Sequence, residues 1–166
     1  MEISTLLSAL STVALIGALL FAALQVRAAS RNRDEQAAIA IINTAQSDAW
    51  TRALNLLHKV PSGASASDID ALGPEMGRAI EDLGIRVETV GYMVYRRIVS
   101  LEAVDEMIGG IVIFWWQRAK PYAERDRVRT DNQKSYEWFQ WLAERLAERH
   151  EHSDRQPAYL RHAAWK

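Results

Sequence analysis

The sequence predicts an all-α protein: an N-terminal transmembrane helix followed by a small cytoplasmic helical bundle. Three observations carry this. Residues 3–26 form an uncharged run of 24 residues. Beyond it, apolar residues recur every three or four positions, the helical period, and no alternating strands with hairpin turns are found. A length of 166 residues with 49% apolar content suits one folded domain plus an anchor.

The run ISTLLSALSTVALIGALLFAALQV holds no charge between Glu2 and Arg27. As a helix it extends about 36 Å at about 1.5 Å per residue, enough for a hydrocarbon core of about 30 Å. A cleaved signal peptide is the rival reading. It wants a basic leading segment and a shorter apolar stretch, whereas only Glu2 precedes this one. The expectation is an uncleaved single span. Arg27, Arg31 and Arg33 follow the span and no Lys or Arg precedes it. The positive-inside rule then puts the N-terminus outside and the bulk of the chain in the cytoplasm. Ser4, Ser8, Ser11, Ala14, Ala18 and Ala22 share roughly a 120° arc of the span. Small residues let helices approach closely in lipid, so this face is either a dock for another transmembrane helix or part of a plain anchor.

Residues 27–60 read as a juxtamembrane helix, with Ala38, Ile42, Ala45, Ala49, Ala53 and Leu56 at helical spacing. Either the span runs on into it, or Asn32 and Glu35 form a capping box and start a new helix. Residues 61–74, PSGASASDIDALGP, read as a linker because Pro, Gly and small polar residues punctuate it. A bundle is expected over 75–150 and a flexible tail over 151–166. Its first helix, 75–97, carries the stripe Met76, Ile80, Leu83, Val87, Val90 and Val94. Gly77, Gly84 and Gly91 repeat every seven residues beside that stripe. Each costs about 1 kcal/mol in a helix interior relative to Ala, so the repeat points to close helix packing. Ser100 caps the next helix, with Glu102 in its first turn. Pro121 is expected to kink or end that helix. Asp131 is expected to cap a last helix over 131–149, whose inner stripe is Tyr136, Phe139, Ala143 and Leu146, widened by Trp138, Trp141 and Leu142.

The apolar run Met107–Trp116 is ten residues long, about 15 Å as a helix and half a bilayer. It therefore reads as a central core helix. Gly109 and Gly110 are its packing notch, expected against the 77/84/91 flank, and Trp115 is its core wedge. Phe114 and Trp116 lie off the main stripe and, if exposed, mark a partner surface.

The segment GIRVETVGYMVYRRIVSLEAVDEMIGGIVIFWWQRAKPYAERDRVR and the closing YEWFQWLAERL resemble the bacterial domain-of-unknown-function 4760 family, over roughly residues 3–147. The motifs are a basic turn at Arg96–Arg97, a late Trp, Pro121 and the aromatic closing helix. The resemblance implies a small membrane-anchored helical protein and supplies no catalytic residues.

Chemistry-bearing patterns are sparse. The chain has no Cys, which rules out disulfides and thiolate sites. Nucleophile elbows, phosphate loops, HExxH and Glu-x-x-His are missing. His150 and His152 fall on different faces of a helix. Glu102 and Glu106 suit a helix N-terminus. The basic stretch Arg118–Arg129 is interrupted by Glu124 and Asp126 and reads as a solvated, salt-bridged face. Acids and bases balance over 27–166, which argues against nucleic acid. No cofactor, metal or catalytic residue is expected. The expectation is a non-enzymatic accessory or scaffolding subunit of a larger inner-membrane complex. Its partners are the lipid bilayer and integral membrane subunits. The alternative is a membrane-tethered sensor that self-associates as a homo-oligomer.

Overall fold

The computed structural model describes the backbone of residues 2–45, 47–152 and 156–165. Before residue 50, the side chains described are those of 12–29, 36, 39, 41, 43, 47 and 48. All regular structure among the described residues is helical. Helix α1 (Glu2–Ala45) runs 44 residues without a break. The span therefore does continue into the following segment, and Asn32 starts no new helix. Within α1, Thr12–Ala29 is long and apolar enough to cross a membrane, a test that an N-terminal signal sequence also passes. At the far end Ile41 is buried in the bundle core. Helix α2 (Asp48–Leu57) restarts at Ser47, whose hydroxyl accepts from Trp50 N at 3.3 Å. That hydroxyl satisfies one of the orphan donors of the first turn.

Residues 61–74 correct the linker expectation, because they contain a short helix, α3 (Ala66–Ala71). Ser65 N donates to the Asp68 carboxylate at 2.8 Å, and Asp68 N donates to Ser65 Oγ at 3.2 Å. This reciprocal capping box holds the Asp68 carboxyl below its ordinary range, first through the Ser65 hydroxyl and then through the Ser65 backbone N–H. Ile69 is fully buried. Arg118 Nε reaches Val60 O at 3.2 Å, and Arg125 pairs with Asp70. Composition suggested a tether, but one buried isoleucine and Arg125 fasten the segment to the bundle, and Arg118 holds the residue just before it.

Helix α4 (Pro74–Tyr95) starts with Pro in its first turn after Gly73, which sits at φ 99. All six residues of its expected stripe are buried. It ends in a Schellman turn. Ile98 N bonds Met93 O and Arg97 N bonds Val94 O, both at 2.9 Å, while Arg97 takes φ 55. Next comes α5 (Leu101–Val104), capped by Ser100 through Ala103 N. A π turn (Asp105–Gly109) leads directly into α6 (Gly110–Thr130).

Pro121 lies inside α6 and does not end it. Its ring forgoes one helical hydrogen bond, yet Ala119, Tyr122 and Ala123 around it are all buried, and that packing keeps the helix going. Asp131 is likewise not an N-cap. It is the left-handed residue that ends α6, with φ 50 and Asn132 N bonded to Arg127 O at 3.1 Å. The last long helix, α7, starts later, at Glu137–His152. Arg127 fixes the intervening turn by donating to Ser135 O and Gln140 Oε1, each at 2.8 Å. A four-residue helix, α8 (Ala158–Arg161), lies in the expected tail, and its Arg161 pairs with Glu106 at 2.9 Å.

Candidate functional site

The glycine flank of α4 seats two tyrosine side chains and the backbone of α7. A Cβ at Gly77 would lie 3.2 Å from Tyr122 Oη. One at Gly84 would press into the Tyr136 ring, and one at Gly91 would lie 2.9 Å from the Trp138 carbonyl carbon. The expected pairing with Gly109 and Gly110 is therefore replaced. Those two glycines do other things: Gly109 makes room for the Asp105 carboxylate and Leu146, and Gly110 faces open space. The repeat at heptad spacing was legible. Its partners were not, because they come from late in α6, the following turn and α7.

Glu88 of α4 closes this contact. Its Oε1 accepts from Trp138 N at 2.7 Å and Phe139 N at 2.9 Å. These are first-turn donors of α7 with no partner inside their own helix, so one helix caps another. Burial raises the Glu88 carboxyl above its ordinary range, and the two backbone N–H bonds only partly oppose that. Nearby, Tyr122 donates to Glu81 at 2.8 Å. Burial, followed by that bond, pushes its phenol up to about 12. Burial likewise raises Tyr136. Glu81, Glu88 and Asp126 edge an open cleft beside Tyr136, but two of the three are already tied to the fold, Glu81 by Tyr122 and Glu88 by α7.

The block that begins at Gly109 is central. Trp115 is fully buried, its ring 4.4 Å from that of Trp50 and nearly perpendicular to it. Among the described residues its indole Nε1 has no hydrogen-bond partner. Trp116 is also buried, stacked at a tilt 5.2 Å from Phe139. Phe114 is half-buried between the His58 ring at 4.8 Å and the Arg118 guanidinium at 3.5 Å. Neither Phe114 nor Trp116 is the open surface that its off-stripe position suggested.

The open aromatic surface lies elsewhere, and sequence reasoning missed it. Tyr92, Tyr95, Trp138 and Trp141 form a chain of ring contacts, with centroids 4.7–6.1 Å apart. Tyr92 is 44% exposed, Tyr95 55% and Ile98 47%. Arg96 sits over the Tyr92 ring at 5.9 Å and donates to its hydroxyl at 3.3 Å. The available signal was a pair of aromatics three apart on each of two helices, next to two arginines. Trp138 and Trp141 read as a wider core stripe, and Trp141 does pack against the core while its ring also meets Tyr95.

His150 belongs to α7, and its Nε2 meets Asp105 of the π turn, with Arg149 Nε at 3.1 Å from the same carboxylate. Among the described residues no three His, Asp or Glu side chains gather as a metal site. Of the expected span face, Ala14, Ala18 and Ala22 are exposed, and the side chains of Ser4, Ser8 and Ser11 lie outside those described. Arg27 is exposed, and Arg31 and Arg33 also lie outside.

A family model described as a domain of unknown function, DUF4760, matches residues 12–146. The chain belongs to the DUF4760 family. The match runs from the apolar part of α1 to Leu146 in α7. In this DUF4760 member it thus takes in the glycine flank, the π turn and the aromatic surface. No curated protein and no solved structure matches the chain.

Proposed function

We propose that this protein is a non-catalytic accessory or scaffolding subunit of a larger assembly in a bacterial inner membrane. It is anchored by one span, with its N-terminus outside and its helical bundle in the cytoplasm. The observation that supports this best is the continuity of α1. The helix that carries the apolar segment Thr12–Ala29 reaches the bundle without a break and buries Ile41 in its core. A helix joined this way is a stiff strut and not a flexible leash. It holds the bundle at a set distance and orientation, as a scaffold needs. The polar side chains between the helices support the same reading, since Glu88, Glu81 and Tyr122 are engaged in capping and bonding helices.

The partners are other integral membrane subunits, met in the bilayer along the face of Ser4, Ser8, Ser11, Ala14, Ala18 and Ala22. The topology rests on Arg27, Arg31 and Arg33. Mild detergent extraction followed by native mass measurement tests the proposal. Co-purification of a defined membrane protein is the expected result. A clean monomer that retains no partner overturns it. A homodimer that persists without residues 1–26 points instead to a self-associating sensor module.

A further inference from the structure

We propose that the tip of α4, formed by Tyr92, Tyr95, Arg96, Arg97 and Ile98, rests on the headgroup layer of an anionic bilayer. The inference rests on the membrane anchoring proposed above. It is carried by the composition and exposure of the tip. From Val90 to Leu101 the chain holds no acid and two arginines. Glu102, the next acid, is paired with Arg149 at 3.5 Å. The side chains that stand open here are those of Tyr92, Tyr95, Arg96, Arg97, Ile98 and Ser100. Amphipathic rings gather at headgroup depth, where the ring contacts lipid and the hydroxyl stays wet.

The Schellman turn fixes this display. Arg97 at φ 55 ends the helix, and Arg96, Arg97 and Ile98 are all exposed where the chain leaves it. Trp138 and Trp141 back the tyrosines from α7 and keep the surface stiff. Charge complementarity selects the occupant. The arginines are exposed and have no acidic partner on the tip, which suits a hydrated anionic layer. A protein interface would desolvate them and demand matched carboxylates.

The strut between bilayer and bundle is short. Ala29, the end of the apolar window, and Ile41, seated in the core, are twelve residues apart on one helix, about 18 Å. Headgroups occupy about 5–7 Å of that distance. The remaining gap of about 12 Å keeps the bundle close to the headgroup layer.

The test uses the full chain, which has no native cysteine. Ile98→Cys is spin-labelled and reconstituted in vesicles of phosphatidylcholine, with and without phosphatidylglycerol. Val128→Cys, at a position 80% exposed, is the aqueous control. With phosphatidylglycerol, the label at position 98 should be shielded from a water-soluble nickel chelate and open to oxygen, while the control should not be. Adding Arg96→Gln and Arg97→Gln should lower the docked-to-free ratio about thirty-fold, from about 1 kcal/mol per surface arginine. Unchanged helical circular dichroism shows that this variant is folded. Flotation separates the two readings. A chain that floats with vesicles but keeps an aqueous label overturns the docking and leaves the anchor standing. A chain that does not float overturns the anchor and the docking with it. Shielding that grows with protein density, regardless of lipid charge, marks contact between copies and also overturns the docking.

Discussion

Gly91→Ala should destabilise the bundle by about 2–3 kcal/mol, although Ala is the better helix former by about 1 kcal/mol. The added methyl would lie 2.9 Å from the Trp138 carbonyl carbon and closer still to its oxygen, where ordinary contacts lie at 3.4–4 Å. The obstacle is backbone, so no rotamer change relieves it. Helices α4 and α7 must part by up to about 1 Å, a strain of the size that costs about 1–3 kcal/mol in packed cores. The same movement stretches the Glu88 bonds to Trp138 N and Phe139 N, now 2.7 and 2.9 Å, beyond hydrogen-bonding range and loses a cap of about 1–2 kcal/mol. Gly77→Ala provides the contrast. Its methyl would meet only the tip of the Tyr122 side chain, at 3.2 Å, so the propensity gain should leave it neutral or slightly stabilised. Gly84→Ala should fall between, since the Tyr136 ring must turn aside. Urea unfolding of the full chain in detergent, followed by circular dichroism, reads the series. With a urea slope of about 2 kcal/mol per molar, Gly91→Ala lowers the midpoint by about 1 M. Equal midpoints across the three variants, or a rise at position 91, would refute the packing argument.

Three further outcomes are expected. Glu88→Gln keeps an acceptor for the two α7 donors without burying a charge and should match or exceed the parent at neutral pH, while Glu88→Ala should lose about 1–3 kcal/mol, both read by urea midpoint. Because burial raises the Glu88 carboxyl, that group's contribution is greatest at acid pH and is lost as pH rises through its raised range, so the pH dependence of the midpoint should flatten in Glu88→Gln. Ile69→Ala should cost about 2–4 kcal/mol and open 61–74 to protease, and a chain that stays as stable and as resistant would return the segment to linker status. In an absorbance titration, Tyr122 should hold its proton to about pH 12. The unfolded chain releases its own at about 10, so stability should fall as pH rises from about 10 to 12, and a fully normal tyrosine titration of the folded chain would contradict this.

The helices were legible where one period dominates. Met76, Ile80, Leu83, Val87, Val90 and Val94 recur at helical spacing and are all buried, because a single stripe against a single core leaves no other solution. What was hidden depended on residues working against type. Asp131 and Arg97 take left-handed turns without glycine, so the stop of α6 looked like the start of α7. Pro121 looked like a stop, and packing on either side overrides it. In 61–74 the Pro and Gly content masked a capping box and one buried isoleucine. The π turn at Asp105–Gly109 has no sequence signature, since it shows only when Gly109 is seen making room for the Asp105 side chain. Of the candidate surface, the tyrosines and Arg96–Arg97 were visible as letters. That the two tryptophans of α7 would back them was not, because it depends on how α4 and α7 pack, with Trp141 shared between this surface and the core.

The unbroken α1 also makes the chain a phase-locked axle. Each residue of an α-helix turns it by about 100° and lifts it by about 1.5 Å. One residue inserted between Ala29 and Ile41 would therefore swing the whole bundle by about 100° relative to the apolar segment. Seven would return it to within about 20° of its starting azimuth, about 10 Å further out. Function plotted against insert length should then rise and fall with the helical period, a rhythm that a slack tether does not produce.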